Sequence, residues 1–208
     1  MYEVLCFGDS NTWGYDPSTG TRYARDVRWT GVLQSSLGTG YHVIEEGLNG
    51  RTTVWEDPVE GDKVGKRHLL PCLLSQAPLD LVVLMLGTND LKMRYSAPVT
   101  DVAAGVSVLA DIVLTSPAGR NDKAPALLLV APPPFGKLSA FAAMFEGGAE
   151  KSRLLGGLYA EVARARACPF LDAATVIRSS DLDGIHLEPA EHGKLGQAIA
   201  REVKKILG

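Results

Sequence analysis

Apolar residues along the chain fall into two patterns that alternate from end to end. Short runs at residues 4–7, 41–44, 79–86, Ala126–Ala131 and 170–171 read as strands. Leu81-Val82-Val83-Leu84-Met85-Leu86 and Leu127-Leu128-Leu129-Val130 are continuous rather than alternating. That is how strands buried on both faces of a parallel sheet read. Between the runs, residues 26–37, 66–76, 99–114, 148–167 and Pro189–Leu207 form helical candidates. In the last of these, Leu195, Ala198, Ile199, Val203 and Ile206 mark one face. Pro189 suits its first turn, where a missing N–H loses no helical bond. Strand and helix alternation predicts an α/β fold, a flavodoxin-like three-layer α/β/α sandwich with a five-stranded, mostly parallel sheet. A single domain over residues 1–208 is expected, with no linker or internal repeat. Residues 57–66 and 132–145 are the irregular stretches, placed to cover a site.

In an open parallel sheet, ligands bind beyond the carboxyl ends of the strands. The first strand runs into Gly8-Asp9-Ser10-Asn11, which sets a hydroxyl at that rim. Taken alone, Asp9-Ser10 equally fits an ordinary turn or helix cap. It is not the Gly-x-Ser-x-Gly elbow, because Thr12 stands where the second glycine would be. The second strand leads to Glu45-Glu46-Gly47-Leu48-Asn49-Gly50, whose glycines allow a sharp turn with an N–H aimed into a cleft. Glu45 and Glu46 point to opposite faces of a strand, so they do not make an acid/base pair. The third strand ends in Gly87-Thr88-Asn89-Asp90, and the Asn89 amide is a donor that a reacting oxygen can use. Asp183-Gly184-Ile185-His186 precedes the last helix, with a spacing that sets a carboxylate against one imidazole nitrogen and leaves the other for a hydroxyl. Each block alone fits a bland turn; together they supply nucleophile, base, orienting acid and donors.

Composition narrows the partners. With 24 acidic and 21 basic residues the net charge is −3, and no basic face with interleaved aromatics invites nucleic acid or an anionic membrane. The densest basic spots, around Arg164 and Arg166 and at Lys204 and Lys205, read as solvated helix faces. Three cysteines without a CxxC pair exclude a disulfide framework or a cysteine-rich zinc site. His42, His68 and His192 are read as lacking ligand spacing, so no metal and no cofactor are expected. Neither a calcium loop at 181–184 nor a phosphate loop at 61–66 keeps its required spacing. No signal-like segment or span-length apolar run is seen, so a cytoplasmic location is expected.

In that order the blocks resemble the SGNH, or GDSL-type, hydrolases, and the resemblance spans nearly the whole chain. The stretches at 26–31, 45–48, 51–53, 132–134 and 145–148 are further similar to bacterial arylesterases of the family that also transfer acyl groups. The resemblance implies a serine esterase acting on short acyl or aryl esters, with Ser10 as nucleophile, His186 as base and Asp183 as its partner. It maps the oxyanion hole to the Ser10 N–H, the Gly50 N–H and the Asn89 side chain. A homo-oligomer and a small-molecule ester substrate are also implied. One departure is Asn11, where the family often has leucine. Asp9, Asn11, Trp13, Tyr15 and Phe145 are assigned to substrate binding, with Phe135 and Phe141 as further walls, although each aromatic also fits plain packing. Thioesterase, carbohydrate deacetylase and longer-chain lipase activities would use the same residues. A non-catalytic flavodoxin-like binding module is the alternative from another class.

Overall fold

A computed structural model describes residues 1–208. Five strands form one sheet in the order β2-β1-β3-β4-β5. They are β1 (Tyr2–Gly8), β2 (Tyr41–Gly47), β3 (Leu81–Met85), β4 (Ala126–Ala131) and β5 (Phe170–Asp172), and every pair is parallel. The helices are α1 (Ser10–Trp13), α2 (Trp29–Leu37), α3 (Gly65–Ser75), α4 (Val99–Thr115), α5 (Gly148–Ala165) and α6 (Pro189–Leu207).

Side chains alternate across the sheet, so each central strand feeds two cores. Leu5 and Phe7 join Val82, Leu84, Leu127 and Leu129 under α3, α4 and α5. Val4 and Cys6 join Leu81, Val83, Leu128 and Val130 beneath α2 and α6. The continuous apolar runs follow from this: both faces of β3 and β4 are covered. On α6, Leu195, Ile199 and Val203 are buried, and Ile206 packs at the edge.

The predicted 26–37 helix starts only at Trp29. Arg28 is extended, and its guanidinium turns back to Glu45 at 2.9 Å, which holds residues 26–28 in a turn. The predicted 79–86 strand is regular over Leu81–Met85, with Leu79 in an isolated bridge to Gly119. The basic spots are tied down: Arg166 holds Asp111 at 2.8 Å and Lys205 holds Glu202 at 2.8 Å. No helix is long and apolar enough to cross a membrane.

The chain goes from β1 outward to β2, then back across β1 to β3. That reversal is the topological switch point, the place where α/β sheets open a crevice. Register aligns Gly8 with Gly47 on one side and with Met85 on the other. The segments after β1, β2 and β3 therefore leave the sheet at one level.

Candidate active site

Ser10 opens α1 directly beyond β1. The Asp9 carboxylate caps this short helix by accepting the Asn11 N–H at 3.0 Å. Ser10 Oγ lies 2.9 Å from His186 Nε2, and His186 Nδ1 lies 2.5 Å from Asp183 Oδ2. Ser10 and His186, 176 positions apart in sequence, meet at this crevice. The other carboxylate oxygen, Asp183 Oδ1, accepts the N–H groups of Ile185 and His186 at 2.8 and 2.9 Å. Burial pushes the Asp183 carboxyl upward, but the bond from His186 and these amides prevail and hold its pKa below the ordinary value. An ionised carboxylate only accepts, so the imidazole proton sits on Nδ1 and Nε2 faces the hydroxyl as acceptor. The three residues are 5–6% exposed, dry enough for these contacts to hold but still reachable.

The donor side is built from the loops after β2 and β3. Gly50 sits at φ +81°, a conformation that side chains disfavour. Its N–H donates to no backbone acceptor in the chain. Asn89 Nδ2 donates one hydrogen to the Arg51 carbonyl at 3.1 Å, which fixes the amide and leaves the other hydrogen free. Arg51 is buried, stacks over Phe7 with its guanidinium 4.0 Å from the ring centroid, and donates to the Gly8 carbonyl at 2.9 Å and to the Glu46 carbonyl. Arg51 thus ties the end of β1 and the end of β2 through its side chain and, through its backbone carbonyl, the Asn89 amide. Burial lowers the Arg51 pKa to about 10, so the clamp stays cationic at neutral pH. Beneath it, Asp90 accepts the Thr53 N–H at 3.0 Å and the Thr53 hydroxyl. Burial raises the Asp90 pKa to about 6 against the pull of these bonds.

Ser10, Gly50, Asn89 and His186 share one open cleft of about 230 Å³. Tyr15, Phe141, Met144, Phe145 and Ile185 form an apolar wall. His186 lies between Tyr15 and Phe141, with ring centroids 4.1 and 5.9 Å away. Asn49, Glu60, Lys63 and Lys92 form the facing wall. The expected irregular stretches do supply both walls, through Glu60 and Lys63 and through Phe141 and Phe145.

Three assigned substrate-binding residues lie elsewhere. Asp9 is buried beneath the nucleophile, where burial raises its carboxyl pKa against the Asn11 N–H bond. Asn11 is also buried, and its amide donates to the Ile185 carbonyl at 3.3 Å, tying α1 to the turn that carries His186. Trp13 turns outward under the Arg22 guanidinium, 5.1 Å from its ring. Successive residues in a helical turn diverge by about 100°, so a turn that shows Ser10 to the cleft turns Asn11 away. Phe135 packs against Phe145 behind the wall rather than lining it.

His192 is fully buried, its Nδ1 accepts the Trp29 N–H at 3.2 Å, and burial lowers its pKa to about 4. It is a packing histidine outside the cleft. Glu45 and Glu46 diverge as expected, Glu45 toward Arg22, Arg25 and Arg28, and Glu46 toward His68. The reading of His68 needs correction. Four residues apart on α3, His68 and Cys72 share a face, and with Glu46 their ligand atoms lie within 4.8 Å of one another. Burial and Glu46 push the Cys72 thiol up to about 12, so it rests as a neutral thiol, and the Arg51 guanidinium nearby opposes a cation.

Residues 6–193 match the model of the GDSL-like lipase/acylhydrolase family. The chain is 44% identical to an aryl esterase from M. smegmatis, with all of both chains covered and a TM-score of 0.95. It is 42% identical to Est24, a carbohydrate acetylesterase from Sinorhizobium meliloti, again over the whole of both chains, with a TM-score of 0.96. A lipolytic G-D-S-L protein from Veillonella parvula DSM 2008 shares the fold alone, at 16% identity, 99% of each chain and a TM-score of 0.70. No curated protein matches the chain.

Proposed function

The chain belongs to the GDSL-like lipase/acylhydrolase family and is a carboxylic ester hydrolase, and we propose that it cleaves short acyl esters of phenols or sugars through an acyl-Ser10 intermediate. The observation that carries this reading is the line Ser10 Oγ–His186 Nε2–Asp183, at 2.9 and 2.5 Å. His186 takes the hydroxyl proton as Ser10 Oγ bonds to the ester carbonyl carbon. Asp183 holds the tautomer and stabilises the imidazolium. Negative charge gathers on the carbonyl oxygen, to which the Ser10 and Gly50 N–H groups and the free Asn89 amide hydrogen donate. The carbon–oxygen bond to the alcohol then breaks, and His186 returns the proton to the leaving oxygen. Water, deprotonated by the same imidazole, releases the acid and restores Ser10.

The leaving groups are argued from the relatives, an aryl esterase and a carbohydrate acetylesterase. A small acyl group suits a cleft whose back is closed by Phe145, which is 3% exposed. The apolar wall also favours an alcohol over water as the second nucleophile, so acyl transfer accompanies hydrolysis in aqueous alcohol. Assembly into a homo-oligomer is part of the same proposal. Exposed Met93 and Leu182 border the loop of the apolar wall, with the Met93 N–H on the Met144 carbonyl and the Ser139 hydroxyl on the Leu182 carbonyl. Light scattering is expected to read a mass above the 22.2 kDa chain.

Hydrolysis of p-nitrophenyl acetate and octanoate by the parent and Ser10→Ala tests the central reading. Acetate cleavage that exceeds octanoate cleavage and vanishes in the variant is expected. Cleavage that persists in Ser10→Ala refutes the nucleophile and moves the binding-module reading to the front.

A further inference from the structure

The charged wall of the cleft is not balanced. Lys63, Lys92 and Arg94 face only Asp57 and Glu60. Lys92 is 2% exposed and committed, with Nζ 3.3 Å from Asp57 Oδ2 and 2.6 Å from Glu60 Oε1. Arg94 spans the same two carboxylates at 2.8 and 3.6 Å. Burial pushes the Asp57 carboxyl up, yet the Glu60 and Val59 N–H groups and the cations around it outweigh that and hold it ionised. These four groups neutralise one another, which leaves Lys63 as the surplus charge. Its ammonium has one contact, Glu60 Oε2 at 3.3 Å, and its side chain is 27% exposed into the cleft. An ammonium carries three donors, so two remain for a ligand.

Lys63 also lies against the oxyanion side. A Cβ placed on Gly50 would fall 3.1 Å from Lys63 Nζ and 2.5 Å from Glu60 Oε2, so the ammonium and the carboxylate that competes for it stand there together. Across the cleft the Asp183 carboxylate is turned away behind His186 and held by it. A cation with spare donors beside the reacting carbonyl is a receptor for an anion that the substrate itself carries.

We propose that the cleft prefers esters bearing an anionic group, a carboxylate above all, with Lys63 as the specificity-determining residue. This rests on the esterase reading and names its substrate class. Glu60 sets the strength of the subsite, because it competes with the substrate for the same ammonium. Burial pushes the Glu60 carboxyl up, but the Lys92 and Lys63 contacts outweigh that and keep it below its ordinary value, so it remains a competitor throughout the neutral range.

The test compares three acetates that share one reacting group: 4-acetoxybenzoate, its neutral methyl ester and 4-acetoxyphenyl-trimethylammonium. Phenol release is followed, and each kcat/KM is divided by the hydroxide rate of the same ester. The parent is expected to favour the anion over the neutral ester and the neutral ester over the cation. The anion-to-neutral ratio falls on the order of threefold to tenfold in Lys63→Gln, the range of a charge-assisted contact that solvent partly screens. Lys63→Glu inverts the order, Lys63→Arg restores it, and Glu60→Gln raises the ratio above the parent. Added salt lowers the ratio in the parent, a readout that needs no variant. A ratio that is the same in parent and Lys63→Gln, or indifferent to salt, overturns the subsite. Loss of all three activities in Ser10→Ala with no charge preference in the parent would leave the esterase standing and refute this inference alone. Acetate release that persists in Ser10→Ala would refute the esterase itself.

Discussion

The two walls of the cleft are made of different material and are held differently. The apolar wall is continuous with the core: Phe145 is buried, packs edge-on against Phe135 at 5.1 Å between centroids, and belongs to the cluster under α4 and α5. The charged wall stands on ion pairs instead, with buried Lys92 at its base and half-exposed Lys63 at its lip. The contrast separates tasks. A wall shared with the core shapes and dries the site, so altering it disturbs the fold. A charge at the lip selects substrates and holds up little else. Between them lies the floor of Ser10, Gly50, Asn89 and His186, which carries the chemistry whichever wall is changed.

The largest expected effect lies on that floor. Asn89→Ala removes one preorganised donor and lowers kcat by roughly 10²–10³, with KM changed much less. Steady-state kinetics with p-nitrophenyl acetate checks it, and a rise in KM at unchanged kcat would contradict the oxyanion role. Next comes the base of the charged wall. Lys92→Met leaves Asp57 and Glu60 without their buried cation and costs about 3–5 kcal/mol of stability, read by urea unfolding. Phe145→Ala on the opposite wall costs about 3 kcal/mol or more through lost burial and a cavity. Lys63→Ala, by contrast, stays within about 0.5 kcal/mol of the parent. If Lys63→Ala destabilises as much as Phe145→Ala, the division between walls is wrong.

The effect most remote from the two walls is a pH dependence away from the cleft. His192 has its pKa lowered to about 4 from 6.5 by burial, so the unfolded chain binds its proton first. The stability it contributes is present above pH about 6.5 and is lost as pH falls toward 4, by about 3 kcal/mol in all. Asp90 acts with the opposite sign. Its pKa is raised to about 6 from 3.8, so protonation favours the fold as pH drops through that window and offsets part of the loss. His192→Asn is expected to flatten the pH profile of urea unfolding between 6.5 and 4, while leaving the wall contrast untouched.

Much of the floor could be read from the sequence, because its chemistry demands particular residue types where strands end. Ser10 after β1, Asn89 after β3 and the Asp183–His186 turn before α6 were each visible for that reason. The strands were visible because both faces of β3 and β4 are covered, which makes their apolar runs unbroken. The walls were not visible to the same degree. Lys63 and Lys92 come from irregular segments with no periodicity, so nothing in their spacing says that they face one cleft. Asp9, Asn11 and Trp13 were placed at the substrate by nearness to Ser10, but Asp9 caps α1, Asn11 turns to the Ile185 carbonyl and Trp13 lies under Arg22. Asn11, the departure from the family pattern, found a polar partner in the Ile185 carbonyl, a contact between residues 174 apart that no local pattern announces. The role of Arg51 was hidden for a similar reason, since its bonds go to backbone carbonyls of two separate strands. His68 and Cys72 could have been found, because a spacing of four on a predicted helix puts them on one face.

The central claim is that Ser10 is a nucleophile activated by His186. Intact-mass measurement after treatment with a fluorophosphonate tests it most directly. One adduct per chain is expected, mapped to Ser10 by peptide sequencing, absent in Ser10→Ala and formed far more slowly in His186→Ala. An unlabelled parent chain, or an adduct that survives in Ser10→Ala, would contradict it.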